Sequence, residues 1–448
     1  TPTSGVSGNC VGATFTVTVT LNPKPVIANT TAVICSGSSF TVTPTNVASG
    51  DIVPVNTTYT WTVIDNPDVS GESNQVTGQA SISQILTNNS NIVQTVVYTV
   101  TPKTSLNCTG ATFTVTVTVN PKPVISNKTA TICSGDTFTV TPLNGVGSDI
   151  VPSGTTYTWT VANAVNVTGE ANQTTAQSSI SQALTNVTNS VQTVVYTVTP
   201  TSGDSGTCLG TTFTVTVTVN PKPVIGDKTA TICSGDTFIV PLTNNAPTQI
   251  VPINTTYTWT VVDNVNVNGD VAESTAQSSI SQTLTNTTNT VQTVVYTVTP
   301  VSGTCTGATF TVTVTINPKP LILAKSAVIC SGDTFTVTPL NNVPTEIVPV
   351  NTTYTWTVVN NPNITGESNQ TAAQSSISQT LINTSNIVQT VVYTVTPTTT
   401  SNCIGATFTV TVTVNPKPVI SNKTATICSG DTFTVTPLNV VGSDIVPA

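Results

Sequence analysis

Residues Thr112–Val119 read TFTVTVTV, and the parity of that stretch decides the fold. Phe113, Val115, Val117 and Val119 fall on one face, and Thr112, Thr114, Thr116 and Thr118 on the other. That is the period-two pattern of a strand with one face in a core and the other in water. The alternation returns in Phe138-Thr-Val-Thr, in Thr156–Val161 with Tyr157, Trp159 and Val161 together, and in Val194–Val198 with Val194, Tyr196 and Val198 together. Ser178–Thr185 reads as a weaker strand with Ile180 and Leu184 on one face. Thr and Val suit a pleated backbone because β-branching already restricts χ1. No segment has the i, i+3, i+4 apolar spacing of a helix. The expectation is an all-β chain of antiparallel sheets.

Outward from this strand, the same words recur. Asn-Pro-Lys-Pro has its prolines at Pro23 and Pro25, Pro121 and Pro123, Pro221 and Pro223, Pro318 and Pro320, and Pro416 and Pro418. A Tyr-Thr-Trp-Thr-Val strand surrounds Trp61, Trp159, Trp259 and Trp356, and a Val-Val-Tyr-Thr-Val strand carries Tyr98, Tyr196, Tyr296 and Tyr393. The period is close to the roughly 100 residues of one sandwich domain and too long for a solenoid repeat. The predicted organisation is a C-terminal strand of a preceding repeat (1–21), four whole repeats (22–119, 120–219, 220–316 and 317–414) and the N-terminal part of a further one (415–448). Within a repeat the predicted order is A (Val124 to Ile132), B, C with its Trp, E, F with its Tyr, and the long G. A Trp on C and a Tyr on F fill a space about 10 Å thick between two sheets, so these eight aromatics are expected in the core. The fold class is tandem immunoglobulin-like β-sandwiches in a linear rod.

Composition removes whole classes of function. The 448 residues contain 10 basic and 18 acidic side chains, 6% charged in all, and neither His nor Met; ordinary soluble domains carry about 25%. Without His there is no Ser-His-Asp or Cys-His nucleophile and no imidazole metal ligand. All ten basic residues are Lys, so no bidentate Arg fork exists, and a net charge of −8 repels a phosphate backbone. Nucleic acid is therefore not an expected partner. No run of about 20 apolar residues crosses a membrane as a helix. The absence of Met, and ends that fall inside a repeating unit, lead to the expectation of a segment from a longer polypeptide. Four near-copies of a small sandwich offer no dedicated cleft, so no enzyme is expected.

The joints between repeats are short. Two prolines fix φ and restrict the residues before them, which predicts a stiff connection. With ten-residue strands each repeat would add on the order of 40 Å of length.

The cysteines recur with the repeats: Cys35, Cys108, Cys133, Cys208, Cys233, Cys305, Cys330 and Cys403, with Cys10 and Cys428 in the flanking pieces. Even usage without a C-x-x-C motif predicts disulfides rather than zinc. Counting favours one bond per repeat: Cys35–Cys108, Cys133–Cys208, Cys233–Cys305 and Cys330–Cys403. Topology favours another set. In a sandwich the A–B turn and the F–G loop lie at opposite poles, beyond the 4.4–6.8 Å that Cα atoms of a disulfide allow. Pairing each A–B cysteine with the next repeat's F–G loop gives Cys35–Cys208, Cys133–Cys305 and Cys233–Cys403. Both sets stand at this point. No cofactor is expected; a Ca²⁺ ion at the joints would draw on Asp149 or Glu170 with loop carbonyls. Asp136, Asp236, Asp333 and Asp431 read as turn formers.

The stretch Ile132–Pro142 (ICSGDTFTVTP), the YTWTV and VVYTVTP strands, and the closing strand CTGATFTVTVTVNPKP resemble the PKD-like, immunoglobulin-like repeats of Bacteroidetes cell-surface adhesins exported by the type IX system. The giant gliding-motility adhesins of flavobacteria are the members most similar. The resemblance implies a structural stalk of an extracellular, outer-membrane-attached adhesin that acts in surface attachment and gliding. It implies as partners the neighbouring repeats and, through parts of the protein outside these residues, a motility or anchoring machinery. Two further readings are a multivalent array binding surface polysaccharide, which exposed aromatics would favour, and a multi-chain fibre assembled through Thr-rich edges.

Overall fold

The computed structural model describes residues 1–5, 8–46, 50–203, 206–440 and 444–447. Its contacts divide the chain into two compact units, Thr1–Val187 with Val191–Asn220, and Thr188–Ser190 with Pro221–Ala448. The first holds repeats 1 and 2; the second holds repeats 3 and 4 and the flanking C-terminal residues.

Repeat 1 shows the plan. Its strands are β1 (Thr30–Cys35), β2 (Ser38–Val42), β3 (Thr58–Val63), β4 (Val69–Ser70), β5 (Gln75–Gln79), β6 (Ile82–Asn88), β7 (Gln94–Lys103) and β8 (Phe113–Asn120). The larger sheet runs β1-β8-β7-β3-β5 and the smaller β2-β6-β4. Alternation is carried into burial: Val115, Val117 and Val119 on β8 have no exposed surface and Phe113 has 2%, while the intervening Thr residues stay half-exposed. At about 1.5–3 kcal/mol for each large apolar side chain taken out of water, one such strand anchors its sheet. Repeat 2 repeats the larger sheet with Lys128–Cys133, Phe213–Asn220, Gln192–Thr201, Thr156–Val161 and Gln173–Gln177.

In the second unit, repeat 3 orders Lys228–Cys233, Phe310–Asn317, Gln292–Ser302, Thr256–Val261 and Glu273–Gln277, with Cys305–Thr306 added beside Gln292–Ser302. Repeat 4 does the same from Lys325–Cys330 to Gln370–Gln374. The chain is all-β, in tandem sandwiches.

Three details differ from the sequence reading, the first being β4 and β5, which stand between the predicted C and E strands where none was expected. The larger sheet is mixed, because β1 pairs parallel with β8, Thr30 opposite Val115 and Cys35 opposite Asn120. The chain leaves β1 for the opposite sheet, so first and last strands run the same way. The predicted A strand is also two pieces. Val124 bridges Ile150 in antiparallel fashion, with N–H···O distances of 3.0 and 2.8 Å, and only Lys128–Cys133 joins the strand from Phe213 to Asn220. The break between them falls at Ser126-Asn127, where the Asn127 carboxamide oxygen accepts from Thr214 N–H at 2.8 Å.

Among the described residues the flanking pieces have no facing sheet. Phe15, Val17, Val19 and Leu21, the counterparts of the buried β8 residues, are 66–91% exposed. Ile427 and Phe433 are likewise exposed in the C-terminal piece.

Candidate functional site

The features that set these repeats apart lie at their poles, where one repeat meets the next. At the C-terminal pole of repeat 1, β1 ends at Cys35 and a tight turn follows. Ser36 N–H donates to Asn120 O at 2.9 Å, and Ser36 Oγ donates to Asn88 O at 3.2 Å while accepting from Asn88 N–H at 3.0 Å. The Asn88 carboxamide donates to Val119 O at 2.9 Å. This knot ties both sheets and the last strand together, with Asn88 only 2% exposed. Ser134 with Asn186, Ser234 with Asn286 and Ser331 with Asn383 repeat it. Sequence reasoning missed this pair. The Ser that always follows the A–B cysteine was its signal.

At the other pole the loop before the final strand carries the second cysteine. Thr104 Oγ1 accepts from Cys108 N–H at 3.1 Å, and Thr399 does the same for Cys403. Two residues on, Gly110 lies against the linker that opens the same repeat: a Cβ there would sit 2.2 Å from Pro25 O. Gly210, Gly307 and Gly405 meet Pro123, Pro223 and Pro320 at 2.4–2.5 Å in the same way. The Cys-x-Gly spacing thus exists for close approach to the linker. Pro25, Pro121, Pro123, Pro221, Pro223, Pro318 and Pro320 are buried, Pro416 is half-buried, and Pro23 and Pro418 are exposed.

These two poles bring the cysteines together across a joint. Cys35 bonds Cys208 across a sequence separation of 173, and Cys233 bonds Cys403 across 170, each with Cα atoms 5.6 Å apart. The pairing of one bond per repeat is therefore corrected: Cys35–Cys108 and Cys330–Cys403 do not form, and Cys108 and Cys330 carry free thiols, as do Cys10 and Cys428. Cys133 and Cys305 are disulfide-bonded as well. The physical reason is polar opposition: within one repeat the two cysteines stand at opposite ends of the sandwich. In the chain-entropy account, closing a loop of this length restricts the unfolded state by about 5 kcal/mol.

Beside the linker a charged pair fastens the split first strand. Lys128 Nζ lies 2.5 Å from Asp149 Oδ2, and Asp149 Oδ1 accepts from Ser126 N–H and Oγ at 2.8 Å. Burial pushes the Asp149 carboxyl up, but the hydrogen bonds from Lys128 and Ser126 outweigh it and hold it below the ordinary carboxylate value. Lys325 grips Glu346 at 2.7 Å and lowers it. Lys423 pairs with Asp444, whose carboxyl is lowered to about 2 by that bond and by Ser421. Repeat 3 has Lys228 donating to Gln249 Oε1 at 2.6 Å instead. Asp149, considered above as a Ca²⁺ ligand, is committed to Lys128. Among the described residues no group of three or more Cys, Asp or Glu is placed to hold a metal ion.

The structure places Trp61, Trp159, Trp259 and Trp356 at 4–5% exposure, each indole N–H donating to a backbone carbonyl at 3.1–3.2 Å. Tyr98, Tyr196, Tyr296 and Tyr393 have no exposed surface, and burial raises their phenol pKa values. On the outer face of the larger sheet, Thr158, Thr160, Gln173, Thr197 and Thr199 line a shallow groove of about 330 Å³, with a counterpart of about 300 Å³ in repeat 4. The adjoining Trp159 and Trp356 rings turn inward, so these grooves offer hydroxyl and amide groups without an aromatic face.

A PKD-like domain family matches the chain four times, over residues 30–123, 130–223, 230–320 and 327–418. No curated protein matches the sequence. Among solved structures, immunoglobulin domains 1–4 of Sidekick-1 share 10% identity, covering 89% of this chain and 98% of that one, with a TM-score of 0.22. Extracellular cadherin domains 1–5 of protocadherin gamma B2 share 11% over 88% and 81%, with a TM-score of 0.21. The titin I-band fragment I67–I69 shares 11% over 66% and 98%, with a TM-score of 0.28.

Proposed function

On the premise that this chain belongs to the PKD-like domain family, we propose that it is a load-bearing spacer segment of an extracellular cell-surface adhesin. The observation that carries the reading is the pairing of Cys35 with Cys208 and of Cys233 with Cys403. A protein that only needed stable domains would staple each one to itself; these staples cross from one repeat to the next. Persistent disulfides also belong to oxidising, extracellular surroundings. Buried linker prolines and a near-absence of surface charge favour a joint whose geometry changes little with salt. The parent adhesin would present a binding tip beyond this segment, attach cells to surfaces and couple to an outer-membrane anchoring or gliding machinery.

The test is on cells. An antibody against this chain should label intact, unpermeabilised cells, and an in-frame deletion of the repeats should weaken attachment under flow and gliding. Labelling that appears only after permeabilisation would end this reading. Binding of the full chain to a glycan array would instead favour a polysaccharide-binding array, which the recurrent Thr and Gln grooves would serve.

A further inference from the structure

The connectivity of the two disulfides has a mechanical consequence. Cys35–Cys208 closes residues 36–207 into one covalent loop, and Cys233–Cys403 closes 234–402 into another. A chain pulled from its ends extends along its shortest covalent route. From Cys35 that route crosses to Cys208, follows the backbone to Cys233 and crosses to Cys403. The backbone on it runs from Cys208 to Cys233 and holds the last strand of repeat 2 (Phe213–Asn220), the Asn220–Pro223 linker and the first strand of repeat 3 (Lys228–Cys233). All four Trp-bearing strands and all four Tyr-bearing strands hang in the side loops and carry no tension.

We propose that the joint-crossing disulfides make this segment a fixed-length tether whose extensibility is set by disulfide chemistry rather than by the stability of its sandwiches. The roughly 25 residues between Cys208 and Cys233 reach at most about 90 Å when fully extended. With every disulfide open, the roughly 370 residues from Cys35 to Cys403 reach about 1,250 Å. Force therefore cannot lengthen the oxidised segment by unravelling its repeats, because the covalent route stays short even if every sandwich opens. Any additional disulfide can only shorten the route. Release requires a reductant: an external dithiol gives two electrons and two protons to each bond, becomes a cyclic disulfide, and leaves two protein thiols. The inference goes beyond the adhesin reading and does not depend on it; failure of surface labelling would leave it intact.

The test is single-molecule stretching of the full chain held at Thr1 and Ala448, after non-reducing peptide mapping. Mapping should return peptides linking Cys35 to Cys208 and Cys233 to Cys403; their absence overturns the proposal. Oxidised chains should show a total contour length about fourfold below that of the same chains in dithiol, roughly 350 Å against 1,500 Å. Cys208→Ser should raise the oxidised value severalfold, to no more than about 950 Å, by opening the first loop. The readout is topological, so a variant that folds poorly still reports it. An oxidised chain that extends as far as the reduced one would overturn the proposal.

Discussion

Repeats 2 and 3 share their strands but not their fastenings, and the difference separates what the sandwich needs from what it tolerates. Repeat 2 holds its first strand with a Lys128–Asp149 ion pair; repeat 3 uses Lys228 and the neutral Gln249. In repeat 2 the Tyr196 hydroxyl donates to Gln182 Oε1 at 2.9 Å. In repeat 3 Tyr296 Oη and Gln282 Oε1 are both buried without a partner, and Asp270 stands where repeat 2 has the longer Glu170. Val161 N–H donates to Asn172 at 2.8 Å, whereas repeat 3 has Ala272 at that position. Yet Val312, Val314 and Ile316 are as buried in repeat 3 as Val215, Val217 and Val219 in repeat 2. Apolar burial and the strand ladder define the sandwich, and the polar fastenings adjust its stability repeat by repeat.

The largest expected effect breaks the charged fastening. Lys128→Ala leaves a buried Asp149 without its cation and should cost repeat 2 about 3 kcal/mol, while Lys228→Ala in repeat 3 should cost about 1 kcal/mol. Urea titration with repeat-resolved hydrogen exchange measures both, and equal losses would refute the distinction. The same pair sets a pH response. Because the folded Asp149 carboxyl lies below its unfolded value, its contribution is complete above about pH 4 and drains away as pH falls toward the lowered native value. The Lys128–Asp149 fastening of repeat 2 should weaken in that acid window, whereas the Lys228–Gln249 fastening of repeat 3 has no carboxylate to protonate.

Tyr196→Phe should cost about 1 kcal/mol by removing one of the two bonds that Gln182 Oε1 accepts, the other coming from Ala171 N–H, whereas Tyr296→Phe removes a hydroxyl that already lacks a partner and should be neutral or slightly stabilising. Gln249→Asp should bring repeat 3 toward repeat 2, adding about 1 kcal/mol at neutral pH and nothing in strong acid, since the gain needs the ionised carboxylate. Ala272→Asn, which offers Val261 N–H the acceptor that Val161 enjoys, should add about 0.5 kcal/mol. A shift in the protection of the Val261 amide alone would report it.

Much of this was legible in advance, and for local reasons. The parity of Phe113, Val115, Val117 and Val119 follows from the pleat, so any sheet containing that stretch buries the same side. The Trp and Tyr positions follow from the same parity, and so do strands A, B, C, E, F and G, but not β4 and β5, whose Asn- and Gly-rich stretch shows no clear alternation. The split first strand was not legible, because Val124 and Lys128 sit on one apparent run and only the opposing partners, Ile150 and the strand from Phe213, divide it. The Lys128–Asp149 pair and the Ser36–Asn88 knot escaped for a similar reason: each joins residues 21 to 52 positions apart whose proximity is set by how loops fold over a pole.

By itself, the order of amino acids determined that this protein is made of β-strands, which side of each faces inward, and that one design is used four times over. Those are properties of neighbouring residues, set by χ1 restriction, pleat and proline. The tertiary structure alone decided which sulfur meets which. Cys35 is nearer in sequence to Cys108 than to Cys208, but a sandwich separates its own two poles by its length while bringing one pole against the next repeat's opposite end. Distance through space, which no local pattern encodes, made the bond that ties one repeat to another.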